Sequence, residues 1–301
     1  MGFFSKVGEG FELFKSSMIF IFKKPIFFIP IFFSWIVVAA VVLYNRYFFP
    51  VLNSLTAIIL YLYFLIFIMA LSICMSNIVM LELIQQIESG EKTSLPKAIK
   101  EAVGLDMIKV IPVALIWGIV WLIIFILKAL TSKVRENKAE PSVEDAAKTM
   151  GGMNTPFSFF RLGLSMIEKL VRMIVFMALP AIAWENKGPF SAFKQSFQIV
   201  RRHPLQFLTS YSLTLFAGIV MALPLVPIYI MDKMDISIST GVWLGVLIYA
   251  GIVWTLEIYF EQMSVAMLYL WHLKWVQSGQ VGELSSVSKP DLFDEINELK
   301  K

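Results

Sequence analysis

The chain has 301 residues, of which 58% are apolar and only 16% charged, with a net charge of +4. A soluble domain carries nearer a quarter charged residues, so the composition excludes an ordinary water-soluble globule and makes a bilayer the expected solvent. A single cysteine, Cys74, excludes an intramolecular disulfide framework, and the two histidines, His203 and His272, fit no metal-ligand spacing.

Phe4, Val7, Phe11, Phe14, Met18 and Ile21 fall at alternating steps of three and four. They predict an amphipathic helix near 3–24, with Lys6, Glu9, Glu12 and Lys15 on its other faces. Such a stripe suits a helix lying in the membrane interface, and equally one packed on its own bundle. The uncharged run 26–45 is long enough to span. Arg46 and Pro50 mark a turn before a second span near 55–84, whose helix continues to Ser89-Gly90, where glycine suits a helix stop. Ser94 as N-cap and Pro96 in the first turn open a second interfacial helix near 94–104. A third span near 108–130 leads into a long polar connection over 131–156.

The next apolar stretch is free of charge only over 173–184, too short to cross. A fourth span near 162–184 therefore takes in Glu168, Lys169 and Arg172. A third interfacial helix near 189–203 precedes a fifth span near 205–230, which Pro224 and Pro227 are expected to kink. After a turn at 232–235, a sixth span near 240–273 runs on to a second Ser-Gly stop at Ser278-Gly279. Residues 281–301 read as a polar tail with a short helix near 291–300.

Two stretches match: FKSSMIFIFKKP at 14–25 and FKQSFQIVRRHP at 193–204. Each is a short amphipathic helix stopped by a proline that opens a span. Ala98-Ile99-Lys100 echoes Ala192-Phe193-Lys194 in the middle unit. The expected fold is all-α, a polytopic transmembrane bundle of about six spans in one domain over 1–280. It is built from three repeats of interfacial helix plus two spans. Four Lys/Arg fall in each of 1–25, 85–109, 184–203 and 271–301, all on one side of that arrangement. The positive-inside rule then makes this side, with both termini, cytoplasmic.

Over 180–197, PAIAWENKGPFSAFKQSF, a span ending in proline is followed by an acidic residue, a glycine and an A-x-K-x-S helix. With the N-terminal FELFKSS, the residues Pro180, Glu185, Gly188, Ala192, Lys194 and Ser196 resemble a family of prokaryotic polytopic membrane proteins of unknown function. That family is similar in turn to the membrane domain attached to some glycerophosphoryl diester phosphodiesterases. The resemblance implies a bacterial or archaeal cytoplasmic (inner) membrane and a six-helix bundle. It brings no catalytic residues, and these residues hold no phosphodiesterase catalytic domain.

Charges inside a bilayer are costly, so they are the first functional candidates. Glu257 and Glu261 are four apart on the sixth span, and Lys169 and Arg172 three apart on the fourth, so each pair shares a helix face. Glu257 lies 14 residues before Trp271 and Lys169 lies 15 before Trp184, if those tryptophans anchor the inner interface. All four then lie about 15 to 22 Å deep, at matching levels. The expectation is a Glu/Lys/Arg cluster inside the bundle. The competing expectation pairs Glu168 with Arg172, four apart, on an outward turn. Lys15, Lys23, Lys24, Lys194, Arg201 and Arg202 form a basic inner face suited to anionic headgroups. Gly241-x-x-x-Gly245 predicts close helix approach, and Asn77 an interhelical hydrogen bond.

No nucleophile with a base, metal-ligand set or phosphate loop is present, so an enzyme is not expected, nor a cofactor or metal. The first expected function is organising lipids or partner proteins through the cytoplasmic interfacial helices. The second is a channel or transporter whose pathway passes the charge cluster. The expected partners are membrane lipids, a second copy of the chain or another membrane protein, and no nucleic acid.

Overall fold

The computed structural model describes residues 3–48, 54–130, 159–234, 236–279, 284 and 287–290. Among these the regular structure is entirely helical. The chain runs α1 (Phe3–Lys23), a 3₁₀ turn at Pro25–Phe27, α2 (Phe28–Phe48), α3 (Leu55–Glu88), α4 (Leu95–Glu101) and α5 (Met107–Leu130). It continues as α6 (Phe159–Ala183), α7 (Pro189–Arg202), α8 (Pro204–Ala222), α9 (Val226–Lys233) and α10 (Thr240–Gln277). Pro50, the 131–156 connection and the expected helix at 291–300 lie outside the described residues.

Five stretches are long and apolar enough to cross a membrane: Pro25–Asn45, Leu55–Glu88, Met107–Lys128, Pro204–Lys233 and Thr240–Gln277. The chain is therefore a multi-pass membrane protein with an all-α bundle. α6 is equally long, at 25 residues, but its charges keep it out of that set. It is nonetheless the central helix, packed on α3, α5, α7 and α10, and its stretch from Met173 to Ile182 is almost wholly buried.

Packing is concentrated at one end of the bundle, where α3 and α10 finish. The buried side chains of α3 cluster between Ile73 and Ile87, and those of α10 between Ile258 and His272. The opposite halves of both helices turn apolar side chains such as Leu55, Phe64, Leu244 and Ile248 outward. That suits a hydrocarbon solvent, in which outward apolar residues cost nothing.

The expected stops are in place, with Gly90 at φ 69° and Gly279 at φ 88°, the left-handed conformation that glycine adopts without a Cβ penalty. The Pro204–Lys233 stretch breaks at Leu223–Leu225 and resumes as α9, as its prolines require. Ser94 stands at the α4 N-cap position, but its side chain makes no cap bond. Its backbone N–H instead donates to Gln86 Oε1 at 2.7 Å. Among the described residues nothing lies within 4 Å of a Cβ built on Gly245, so the Gly241/Gly245 spacing marks no close helix approach. Close approach occurs at Gly251, where a Cβ would lie 2.1 Å from the Trp35 ring, and at Gly10, where it would lie 2.8 Å from the Gln206 carbonyl. Asn77 is fully buried, yet neither side-chain atom has a hydrogen-bond partner among the described residues.

Aligned by sequence, α1, α7 and the segment of α4 with the turn that follows it also match in orientation. Leu13, Ala192 and Ala98 occupy one repeat position, Ser17, Ser196 and Ala102 the next, and all six have 0% exposure. Ser17 and Ser196 both bond back to their own helix, to Phe14 O at 2.6 Å and Ala192 O at 2.8 Å. Outward stand Lys15, Lys194 and Lys100, with Met18, Phe197 and Val103 beside them. Phe11 and Phe190 extend the same outward face.

The predicted α1 stripe is divided by this arrangement. Phe4, Phe11, Met18 and Phe22 point out, whereas Phe14 is buried against Phe260, with ring centroids 5.8 Å apart. The polar Glu9, Ser16 and Ser17 are buried too, beside Leu13 and Phe20, so the inward face of α1 mixes polar and apolar residues while Lys15 stays outward. Part of the expected tail is docked as well. Leu284 is buried, Trp271 Nε1 donates to Val287 O at 3.4 Å, and Lys289 pairs with Glu12 of α1.

Candidate functional site

α6 and α10 pack directly against each other, and the two charged faces expected from the sequence meet there. Lys169 Nζ lies 2.8 Å from Glu257 Oε1 and 3.1 Å from Glu261 Oε1. Arg172 grips Glu261 with two prongs, Nε to Oε2 at 2.6 Å and a terminal nitrogen to Oε1 at 2.7 Å. The same terminal nitrogen reaches Glu257 Oε1 at 3.4 Å. Each carboxylate thus touches both cations, and the group of four is neutral.

Burial differs within the group. Glu261 is 0% exposed and Lys169 3%, while the Glu257 side chain keeps 24%. Glu257 faces α8 at Gly218, where a Cβ would come within 3.5 Å of its carboxyl carbon. Tyr211 of α8 donates to Met166 O at 2.9 Å, tying α8 to α6 just before the cluster. Forked guanidinium–carboxylate geometry supplies the hydrogen bonds that buried ions lose from water.

Glu168 does not belong to this group and does not pair with Arg172. It turns the other way and bonds Lys128 of α5. Adjacent positions on a helix diverge by about 100°, so Glu168 and Lys169 necessarily serve different neighbours. The charges of α6 therefore bind two helices, α5 on one side and α10 on the other.

The tryptophans used as depth markers do not face the headgroups. Trp271 is 1% exposed, and Trp184 Nε1 donates to Leu81 O at 3.1 Å inside the bundle. Just beyond Trp184, Asn186 adopts φ 55° and Gly188 is the α7 N-cap. Glu185 here accepts from Tyr269 of α10, from Gln195 of α7 at 2.7 Å, and from Lys187 at 2.8 Å. Burial opposes its ionisation, but the bonds from Lys187, Tyr269 and Gln195 outweigh it and hold the carboxyl below its ordinary range. Glu185 and Gly188 thus lie in the turn between α6 and α7, with Pro180 in the last turn of α6 and Ala192 and Ser196 on the buried face of α7.

Of the six basic residues singled out, Lys15, Lys194, Arg201 and Arg202 are exposed, and Lys23 and Lys24 half-buried. Arg202 lies over the Trp275 ring, 5.6 Å from its centroid. Next to it is a pair the sequence did not reveal. His203 Nε2 and His272 Nδ1 are 3.0 Å apart and buried, one nitrogen donating to the other. Burial first, then His272, Arg202 and Lys6, lower His203 from 6.5 to about 4. The two histidines are 69 positions apart, so spacing offers no signal.

Among the described residues no group of three His, Cys, Asp or Glu is placed to hold a metal ion. An apolar groove of about 300 Å³ lies where the fifth span breaks, lined by Pro224, Leu225, Val246 and Tyr249 among others, away from the charged cluster. Compared with family models, curated proteins and solved structures, the chain matches none.

Proposed function

We propose that this protein is a six-crossing component of a prokaryotic cytoplasmic membrane that gathers anionic lipid, and through it partner proteins, on its cytoplasmic interfacial helices, without catalysing a reaction. The observation that carries the reading is the outward face repeated on α1, α4 and α7. In each, a lysine stands beside a large apolar side chain on the exposed side, and the two repeat positions Leu13/Ala98/Ala192 and Ser17/Ala102/Ser196 are buried behind it. Lipid-facing amphipathic helices need that combination of apolar area and positive charge. The contact between Lys289, after α10, and Glu12 of α1 supports an even number of crossings, with α6 crossing in addition to the five apolar stretches. The Lys/Arg-rich segments at that end support its being the cytoplasmic side.

On this reading the four-charge cluster is a neutral clamp that allows the central helix to be charged. The test is lipid retention by native mass spectrometry, with protein offered phosphatidylglycerol and phosphatidylcholine in equal amounts. Wild type should retain the anionic lipid. Each lysine or arginine near an anionic surface contributes about 1 kcal/mol, so Lys15→Gln/Lys194→Gln/Arg201→Gln should weaken that preference on the order of a hundredfold. Equal retention of both lipids by wild type would end the proposal.

One observation favours a transport reading instead, namely that the Glu257 carboxylate keeps some exposure beside Gly218. It requires solute or ion flux in wild-type proteoliposomes that Glu257→Gln/Glu261→Gln abolishes while the protein stays folded.

A further inference from the structure

A second ionisable site lies outside the cluster, between α1 and α8. Glu9 is 6% exposed, and its one polar partner among the described residues is Gln206, whose Nε2 donates to Glu9 Oε2 at 2.7 Å. Among the described residues the other carboxylate oxygen, Glu9 Oε1, has no hydrogen-bond partner, and neither has the amide oxygen, Gln206 Oε1. Ser210, one helical turn along the same face of α8, is also buried and its hydroxyl unpartnered. Three oxygens of three kinds, a carboxylate, an amide carbonyl and a hydroxyl, are thus buried without partners among the described residues.

Lys6, half-buried one turn before Glu9 on α1, forms no ion pair with it, and among the described residues no other basic side chain does. α8, PLQFLTSYSLTLFAGIVMA, carries no ionisable acid or base of ordinary charge. On α10, Glu257 and Glu261 are engaged by Lys169 and Arg172, and Lys274 lies against Glu88. α1 packs closely on α8 here, since a Cβ built on Gly10 would lie 2.8 Å from Gln206 O and 2.6 Å from Thr209 Cβ. A buried carboxylate with a single amide donor is costly unless a cation meets it. Hard oxygen ligands with one negative charge match a small, hard, monovalent cation better than a divalent or a soft one.

We propose that Glu9, Gln206 and Ser210 form the protein part of a binding site for a small alkali cation, sodium above all, which fastens α1 to α8. Bound sodium would supply the missing partner of all three oxygens at once and make the seating of α1 depend on the ion.

The test uses the full-length protein in detergent micelles, unfolded thermally at constant ionic strength in sodium, potassium or choline chloride. Wild type should gain about 5 °C in sodium over choline, with a saturable dependence on concentration. Glu9→Gln should fold and lose that gain, and Ser210→Ala should raise the sodium concentration needed for half the gain. If Glu9→Gln does not fold, Gln206→Met provides the same comparison. Identical wild-type midpoints in sodium and choline would overturn the site, as would a gain that persists in Glu9→Gln and Gln206→Met. Stabilisation that follows acidity and ignores sodium would assign the position to a proton and overturn it equally. Lipid retention is read separately, so failure here leaves the lipid reading untouched, and the reverse holds.

Discussion

Glu257 and Glu261 meet the same two cations, yet replacing them should not have the same effect. Glu261 is fully buried and holds the Arg172 fork, so Glu261→Gln leaves a buried guanidinium without its carboxylate. A loss of about 3–5 kcal/mol is expected. Glu257 keeps 24% exposure, and its contact to Arg172 is a long 3.4 Å, so Glu257→Gln should cost about 1–2 kcal/mol. Thermal midpoints of the two variants in one detergent check the order, and equal losses would contradict the geometry. His203 supplies a pH dependence at the same scale. Its folded value is depressed to about 4 from 6.5, so below pH 6.5 the unfolded chain takes up a proton that the folded one refuses. Stability should therefore fall as pH drops from about 6.5 to about 4, by up to about 3 kcal/mol at this site. Glu185, held below the ordinary carboxylate range, loses its contribution at still lower pH and acts in the same direction. His203→Gln should flatten the upper part of that slope in thermal unfolding measured across pH 4 to 7.

Among elements, the glycines distinguish what a pattern predicts from what a neighbour decides. Gly251→Ala drives a Cβ to 2.1 Å from the Trp35 ring and should cost about 1–3 kcal/mol, with partial recovery on adding Trp35→Leu. Gly245→Ala, in the spacing that promised close contact, has open space and should change stability by less than about 0.5 kcal/mol. Paired melts of these variants test both statements. The sequence carried the helix stops at Gly90 and Gly279, the proline break of the fifth span and the repeat of α1 and α7, because each is a local consequence of backbone chemistry. It also brought Lys169, Arg172, Glu257 and Glu261 to one level, because helical rise fixes relative depth along two adjacent spans. Periodicity defines faces but does not say which helix each face meets. That is why the buried face of α1, the Lys128 partner of Glu168 and the His203–His272 pair were not legible. Trp184 and Trp271 misled for the same reason, since an indole N–H is satisfied as well by Leu81 O or Val287 O as by a headgroup.

For the whole molecule the question is how often the chain crosses, and it turns on α6. If only the five apolar stretches crossed, α1 and α7 would lie on opposite sides of the membrane, as would Glu12 and Lys289. Yet Lys289 pairs with Glu12, and α1 and α7 share the same outward pattern. A charged helix can be the sixth crossing here because its ions are matched before they meet lipid, Lys169 and Arg172 by α10 and Glu168 by Lys128. Cysteine labelling in sealed vesicles tests this directly. The native Cys74 is fully buried and should stay silent to a water-soluble maleimide. Lys15→Cys and Ser191→Cys, both at exposed positions, should then label from one side, and Asp232→Cys at the far end of α9 from the other. Labelling of positions 15 and 191 from opposite sides would mean that α6 does not cross. The bundle would then hold five spans, and the charged cluster would have to be explained as the edge of a re-entrant helix.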